Sequence, residues 1–410
     1  MGSLGQAPGF YSRGMMRRDF EVPEGEDAEA SHLTYERLRR ECPVAHTDAL
    51  GGFWMLTHYA DVARVAADAA RFSTTVQNVV PKVAYTGRRP PLHLDPPEHT
   101  PYRATLNPLL SAERVARLEP WVRTLVHEEL QPLQLRGGGD LCGEWSARFP
   151  VRVFAKWMNL DATLQAQLMH AGPEFIRSVQ AFDSAAMKQT SLVLYDMARA
   201  LIEQRLQQPQ PVDSDPVSAL LAVRLPGPSG QPQPLPHEMI VGTVRQVLVV
   251  GIVAPMVMMG SIALHLAQDP ALHQQLKADA TLLPAAVEEF LRLYTPYRGF
   301  ARTALEDTTI QGCPVSRGEA IALTYASANR DERVFAQPHR FILNRPNIGD
   351  HLAFGRGPHF CAGAHLARLE LRIALETLLA SANRIELTGK VAWCPYPEIG
   401  PYCLPVRLVV

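Results

Sequence analysis

Residues His351 to Glu370 read HLAFGRGPHFCAGAHLARLE, and no other stretch of the 410-residue chain constrains its fold as tightly. The core of the segment is Phe354-Gly355-x-Gly357-x-His359-x-Cys361-x-Gly363. Three glycines around one cysteine imply a tight backbone turn where side chains would clash. Ala364 to Leu379 then carries the apolar spacing of an amphipathic helix. The cysteine therefore sits in a loop that feeds a helix N-terminus. Free amides and the helix dipole at such a position lower a thiol's pKa and stabilise the thiolate.

A thiolate in a glycine-lined loop suits a nucleophile, a zinc ligand or a haem ligand. Zinc would want more cysteine or histidine at close spacing, and only His359 is near. A nucleophile would want a general base, which the sequence leaves open. Haem ligation explains more. The glycines let a flat macrocycle approach the backbone, Phe354 can pack beside it, and a thiolate ligand favours oxygen chemistry at iron. The other five cysteines, Cys42, Cys142, Cys313, Cys394 and Cys403, are scattered with no CxxC pair. They read as thiols in a reducing compartment.

Most of the chain reads helical. Ser111 to Leu130, Ser184 to Gln207, His237 to Gln268 and Ala271 to Leu293 carry apolar residues at helical spacing, with Asp269-Pro270 breaking the last two. Strand signals are short: Gly52 to Thr57, Thr308 to Ile310, Ala320 to Tyr325 and Leu404 to Val410. The Pro- and Gln-rich stretch Gln207 to Pro236 reads as two loops around a short helix at Val217 to Arg224. Hydrophobic content of 47% is enough for a large core, and the net charge of -1 offers no bulk attraction to nucleic acid or membrane. The longest apolar stretch, Val247 to Met259, is too short to span a bilayer, and Pro255 interrupts it. The N-terminus has no continuous apolar region of a secretory signal. A soluble, cytoplasmic protein is expected.

The segment around Cys361 resembles the cysteine-ligand loop of the cytochrome P-450 family. Further segments resemble the family in chain order, from about Leu33 to the C-terminus. The resemblance implies a mainly α fold with small β-sheets, the haem held between a distal long helix and the proximal cysteine-loop helix. It implies one catalytic domain over residues 1–410, the first 20 or so residues being a flexible N-terminus. The cofactor implied is haem b, iron protoporphyrin IX, with Cys361 as the metal ligand and Phe354 and Gly363 beside it. His99 and Arg103, at i, i+4 in HTPYR, would meet the haem propionates, joined by Arg302 and His359. Glu289 and Arg292 resemble the family's buried pair, with Arg340 as the third partner and Arg345 as the alternative. Their implied role is structural.

The helix His237 to Gln268 matches the family's distal helix but departs from it. Members usually have an acid next to a threonine, which organise water and pass protons. Here the run is Val250-Gly251-Ile252-Val253-Ala254-Pro255, with Val253 and Ala254 in those two places. Pro255 lacks an amide hydrogen, so Gly251 loses its helical partner and a kink is expected. By family position the pocket is lined by Val79, Val80, Val83, Tyr85, Phe175, Val179, Phe182, Val250, Tyr297, Phe300 and Ile399. These mostly apolar residues suit a small hydrophobic substrate.

The activity implied is insertion of one oxygen atom from dioxygen into that substrate. Because the chain has no flavin or iron–sulfur motif, electrons would come from ferredoxin and ferredoxin reductase or an equivalent donor, through a proximal face around Arg356, His365 and Arg368. A monomer is expected, with neither nucleic acid nor membrane as partner. A peroxide-driven oxygenase fits the missing acid and alcohol. A haem-binding accessory or sensor protein is the third reading.

Overall fold

The computed structural model describes residues 19–22, 27–82, 86–227, 229–298 and 300–410. The Val83 and Tyr85 positions and most of the expected flexible N-terminus lie outside them.

Helices dominate, and their boundaries follow from caps and prolines. Ser184–Gln207 starts where the Asp183 carboxylate accepts from the amides of Ala185 and Ala186. The expected helix from 271 to 293 is two helices, Pro270–Ala278 and Leu283–Leu293. Asp279 caps a short 3-10 turn between them, and a proline opens the second helix, where its missing amide is harmless. The expected helix from 111 to 130 divides likewise into Ala112–Ala116 and Glu119–Arg136, with Pro120 in the first turn of the latter. Ala162–Gln180 was not foreseen; Pro173 inside it disguises the pattern. The short helix between the proline-rich loops forms at Pro216–Ala222, followed by a hairpin of Arg224–Pro226 with Pro232–Pro234.

The largest sheet has five strands in the order Val44–Thr47, Phe53–Leu56, Ala320–Leu323, Phe300–Ala304, Phe72–Ser73. Phe53–Leu56 and Ala320–Leu323 run parallel, Trp54 opposite Ile321; the other pairings are antiparallel. Side chains alternate between two cores, as a pleated strand requires. Trp54, Leu56, Ile321 and Leu323 enter one, and Phe53, Met55, Ala320 and Ala322 the other. Arg302 lies in this sheet opposite Ile321.

The main core gathers side chains from Leu94 to Leu408. Through it pass His237–Val250 and Val253–Gln268. Together they form a segment long and apolar enough to cross a membrane, but most of it is buried within the protein. The two are separate helices because Gly251 (φ -87°, ψ 4°) leaves helical geometry four residues ahead of Pro255. The Ile252 amide donates back to the Val249 carbonyl, a tightened last turn. The expected kink is thus a break.

Candidate haem-thiolate site

Cys361 stands directly ahead of the helix Ala364–Ser381, for which Gly363 is the N-cap. Its amide donates 2.8 Å to the Phe354 carbonyl, which closes the loop. Gly355 (φ 72°) and Gly357 (φ 73°) are left-handed. A Cβ at Gly357 would stand 2.6 Å from the Cα of Ala67, so side-chain bulk there displaces the loop. Cys361 is accessible, yet its thiol is strongly desolvated.

The electrostatics differ from the expectation. Desolvation pushes the Cys361 thiol above its ordinary pKa, outweighing the Gly363 amide and the charges of Arg103 and Arg368, which all favour the thiolate. The helix terminus alone does not ionise this cysteine. A bound cation would do so, because a coordinating thiol is deprotonated outright.

Across from the loop, the helix Thr100–Leu109 follows His99, placing His99 and Arg103 on one face. The His99 ring lies 4.7 Å from that of His359. Arg103 and Arg302 both act electrostatically on His359, and Arg103 on Cys361. The four basic residues expected near the haem thus converge beside the cysteine. The acid nearby is Asp95, 3.7 Å from His359. Among the described residues, the Nε of Arg302, 3% exposed, and the Nε2 of His99, 4% exposed, have no hydrogen-bond partner. Orphaned buried donors are rare, so this cradle is short of acceptors. Two carboxylates, such as haem carries, match it in charge and chemistry. Replacing both His99 and Arg103 by alanine should lower haem retention, since each charge-assisted bond contributes about 1.5–3 kcal/mol. Haem occupancy of the purified double variant, by absorbance ratio, checks this.

On the distal side, Val250 is 50% exposed at the end of a helix that is buried from Ile240 to Val249. Ala254, one turn on, is also partly accessible. Gly251, Val253 and Pro255 face protein instead. A Cβ on Gly251 would strike the Phe154 ring at 2.4 Å. Val253 packs with Val257 and Cys394. Of the four distal positions singled out in the sequence, Ala254 alone has a partly accessible side chain.

The expected pocket residues divide into groups. Val79 bridges to Phe300, whose ring meets that of Tyr297 at 4.8 Å, and the Ile399 amide donates to the Pro296 carbonyl. Val80 and Ile399 are buried in the core behind the sheet. Phe175 and Val179 belong to the main core. Phe182 is a correction: it lies in the turn between two helices, at φ 54° and 40% exposed, so its ring is at the surface.

Behind Tyr297 lies an acid that sequence reasoning missed, Glu398, because nothing in its local pattern marks it. It is 5% exposed, and its carboxylate accepts from Gln180 Nε2 at 3.1 Å. Arg298 donates to the Glu398 main-chain carbonyl and leaves the carboxylate alone. Burial therefore pushes the Glu398 pKa up to about 7, against the Gln180 hydrogen bond and the Arg298 charge. The unfolded chain loses this proton near 4.5 and the native state near 7. The native state binds the extra proton in between, so stability falls as pH rises from about 4.5 to 7 and is flat above. The total is on the order of 3 kcal/mol. Glu398→Gln keeps the acceptor and should remove that slope in urea titrations between pH 4.5 and 8.

The buried ion network corrects another expectation. Glu289 is held by Arg292 at 2.7 and 2.8 Å and by Arg345 at 3.0 Å. Burial works to raise the Glu289 pKa, but these guanidinium hydrogen bonds win and hold it low. Arg340 is not the third partner. Its exposed side chain donates to Gln337, and only its carbonyl joins, accepting from Arg292 and Arg345. The neighbouring Glu288 pairs with Arg368 at 2.6 Å and with His351 at 3.1 Å, while Arg368 covers the Phe354 ring at 4.6 Å. Burial opposes ionisation of Glu288, yet these partners hold its pKa at about 2. Arg368 is therefore neutralised, which leaves Arg356 and His365 as the exposed basic groups of that face.

Comparison with known proteins addresses the family and the fold. The family model described as Cytochrome P450 matches residues 151–383. Linalool 8-monooxygenase of Pseudomonas putida is 29% identical, covering 92% of this chain and 95% of its own. Vitamin D(3) 25-hydroxylase of Pseudonocardia autotrophica is 30% identical, covering 87% of each. Among solved structures, cytochrome P450 CYP109Q5 from Chondromyces apiculatus superposes with a TM-score of 0.82 at 27% identity, over 93% of this chain and 96% of that one. With a family model matched over more than half of its length and a 30% identical relative aligned over most of both chains, the chain belongs to the cytochrome P450 family.

Proposed function

We propose that Cys361 is the axial haem ligand, that haem b is the cofactor, and that His99, Arg103, Arg302 and His359 hold its propionates. The enzyme is a haem-dependent monooxygenase. The observation that carries the site assignment is the convergence of four basic side chains, two with orphaned donors, on one accessible but desolvated cysteine. When bound, the haem supplies activation of dioxygen, one atom going to substrate and the other to water.

The protein's own residues set the rest. Tyr297, Phe300 and Val79 lie together, and in this reading they join Val250 in bounding an apolar space for substrate and excluding water. Val253 and Ala254 carry no proton, so water at the broken turn must do so. The Gly251 carbonyl has no amide at position 255 to bond and is the natural acceptor for such a water. Electrons come from a separate ferredoxin-type partner, docked at the face of Arg356 and His365. The enzyme works in the cytoplasm; its long apolar segment is part of the core.

The peroxide-driven reading is favoured by one observation, the Val253-Ala254-Pro255 run in place of an acid and an alcohol. A turnover screen on a panel of apolar terpenoids and amphipathic carboxylic acids separates the readings. Product with reduced ferredoxin and dioxygen supports the monooxygenase. Product with peroxide alone supports the second reading, and haem binding with no product under either supports an accessory role.

A further inference from the structure

From Met239 to Met259 the chain has one ionisable residue, Arg245, and it is completely buried. Its guanidinium lies 4.4 Å over the Phe175 ring. Nη2 donates to Ser191 Oγ at 2.9 Å and Nη1 to Gln246 Oε1 at 3.4 Å, while Nε has no partner among the described residues. The segment ending at His93 presses on the same helix: a Cβ at Gly242 would stand 2.0 Å from the Arg88 carbonyl oxygen. This segment brings a second arginine, Arg89, 6% exposed, with Nη2 at 3.1 Å from His93 Nε2 and Nε again unpartnered.

Neither arginine pairs with a carboxylate among the described residues. The charge acting on Arg245 besides its neighbouring tyrosine is Arg89 itself, which repels it. His93 reports the same positive field: burial, then Arg89 and Arg245, hold its pKa at about 3. Two buried, mutually repelling guanidinium groups without a counter-ion are costly to a fold. Such an arrangement is completed by an anion, and the planar fork of arginine suits a carboxylate. A small cleft opens on Arg89, with Asn78, Arg89 and His93 buried in its lining and Thr75, Val76 and Lys82 exposed. It has room for a group of a few atoms. Arg245 precedes the accessible Val250 by five residues, about 7.5 Å of helix rise.

We propose that Arg89 and Arg245 form the recognition site for the carboxylate of an amphipathic organic acid, the substrate of this enzyme. Its apolar body then lies along Phe175, Val179 and Val250 toward the haem face. The proposal rests on the monooxygenase reading above. The other source of a carboxylate in such a protein is the haem's own propionate, and the test separates the two.

The holoenzyme is titrated with decanoate, methyl decanoate and decanol, following the Soret spin-state shift and calorimetric binding. Decanoate should bind at least about 10-fold tighter than its ester or alcohol. Arg89→Gln and Arg245→Gln should each erode that preference, and the double variant should erase it. Haem content and the reduced carbon monoxide spectrum should stay unchanged. A further variant, Arg245→Met, should melt at or above the temperature of wild type in the absence of acid, because an unpaired charge has been removed. Equal or absent binding of acid and ester by wild type overturns the proposal. So does a preference that survives the double variant, loss of haem from it, or a lower melting temperature of Arg245→Met with the preference intact. Failure of the underlying reading shows separately, as a wild-type protein without the thiolate carbon monoxide band.

Discussion

Cys361→Ala protein, reduced under carbon monoxide, shows no red-shifted Soret band and no turnover with any electron donor. The expected effect is complete because no second thiol can substitute. Cys142 and Cys394 are fully buried, with burial holding both thiols up, the latter at about 12. Cys42, Cys313 and Cys403 belong to other elements, and none stands beside the basic cradle. The loop around residue 361 should survive the change, since its closing bonds are main-chain: Cys361 amide to Phe354 carbonyl and Gly355 amide to Leu352 carbonyl. Loss of the band with an unchanged far-ultraviolet spectrum would therefore report ligation. The control is Cys394→Ala, which keeps the band. A thiolate-type band in Cys361→Ala would remove the axial assignment.

The sequence was most informative where local chemistry is forced. Two left-handed glycines and a following amphipathic helix define the cysteine loop, and Gly355, Gly357 and Ala364–Ser381 appear where the pattern predicts. His99 and Arg103 were legible because i, i+4 spacing is itself a statement about one helix face. A kink ahead of Pro255 was legible for the same kind of reason, though not that it parts the segment into two helices. What stayed hidden depends on contacts between distant segments. Arg340 and Arg345 are five residues apart in a loop without periodicity, and only tertiary placement decides which reaches Glu289. The thiol's raised pKa depends on burial, which no spacing reveals. Glu398 gave no signal at all. Arg245 did give one, a lone charge in a long apolar run, and buried charges are almost always there for a partner.

The choice between Arg340 and Arg345 has a large energetic consequence. Glu289→Ala leaves Arg292 and Arg345, both at most 4% exposed, as buried cations facing each other. Removing one partner of a buried ion pair typically costs about 3–5 kcal/mol, because the remaining charge stays desolvated. Here one carboxylate serves two guanidinium groups and the Ile342 amide, so the upper end of that range is expected. Arg345→Ala loses the bonds to Glu289 that tie the loop before the cysteine segment to the helix Leu283–Leu293, and the bonds to the carbonyls of Ala336 and Arg340 that hold the loop itself. It should cost about 3 kcal/mol or more by the same argument. Arg340→Ala removes an exposed side chain bonded only to Gln337, and should change stability by less than about 0.5 kcal/mol. Urea unfolding midpoints of the three holoenzyme variants check the order. Arg340→Ala as damaging as Arg345→Ala would return Arg340 to the network and overturn the correction. A stability loss that leaves the carbon monoxide band of the folded fraction unchanged would confirm that the cluster supports the cysteine loop without taking part in the chemistry.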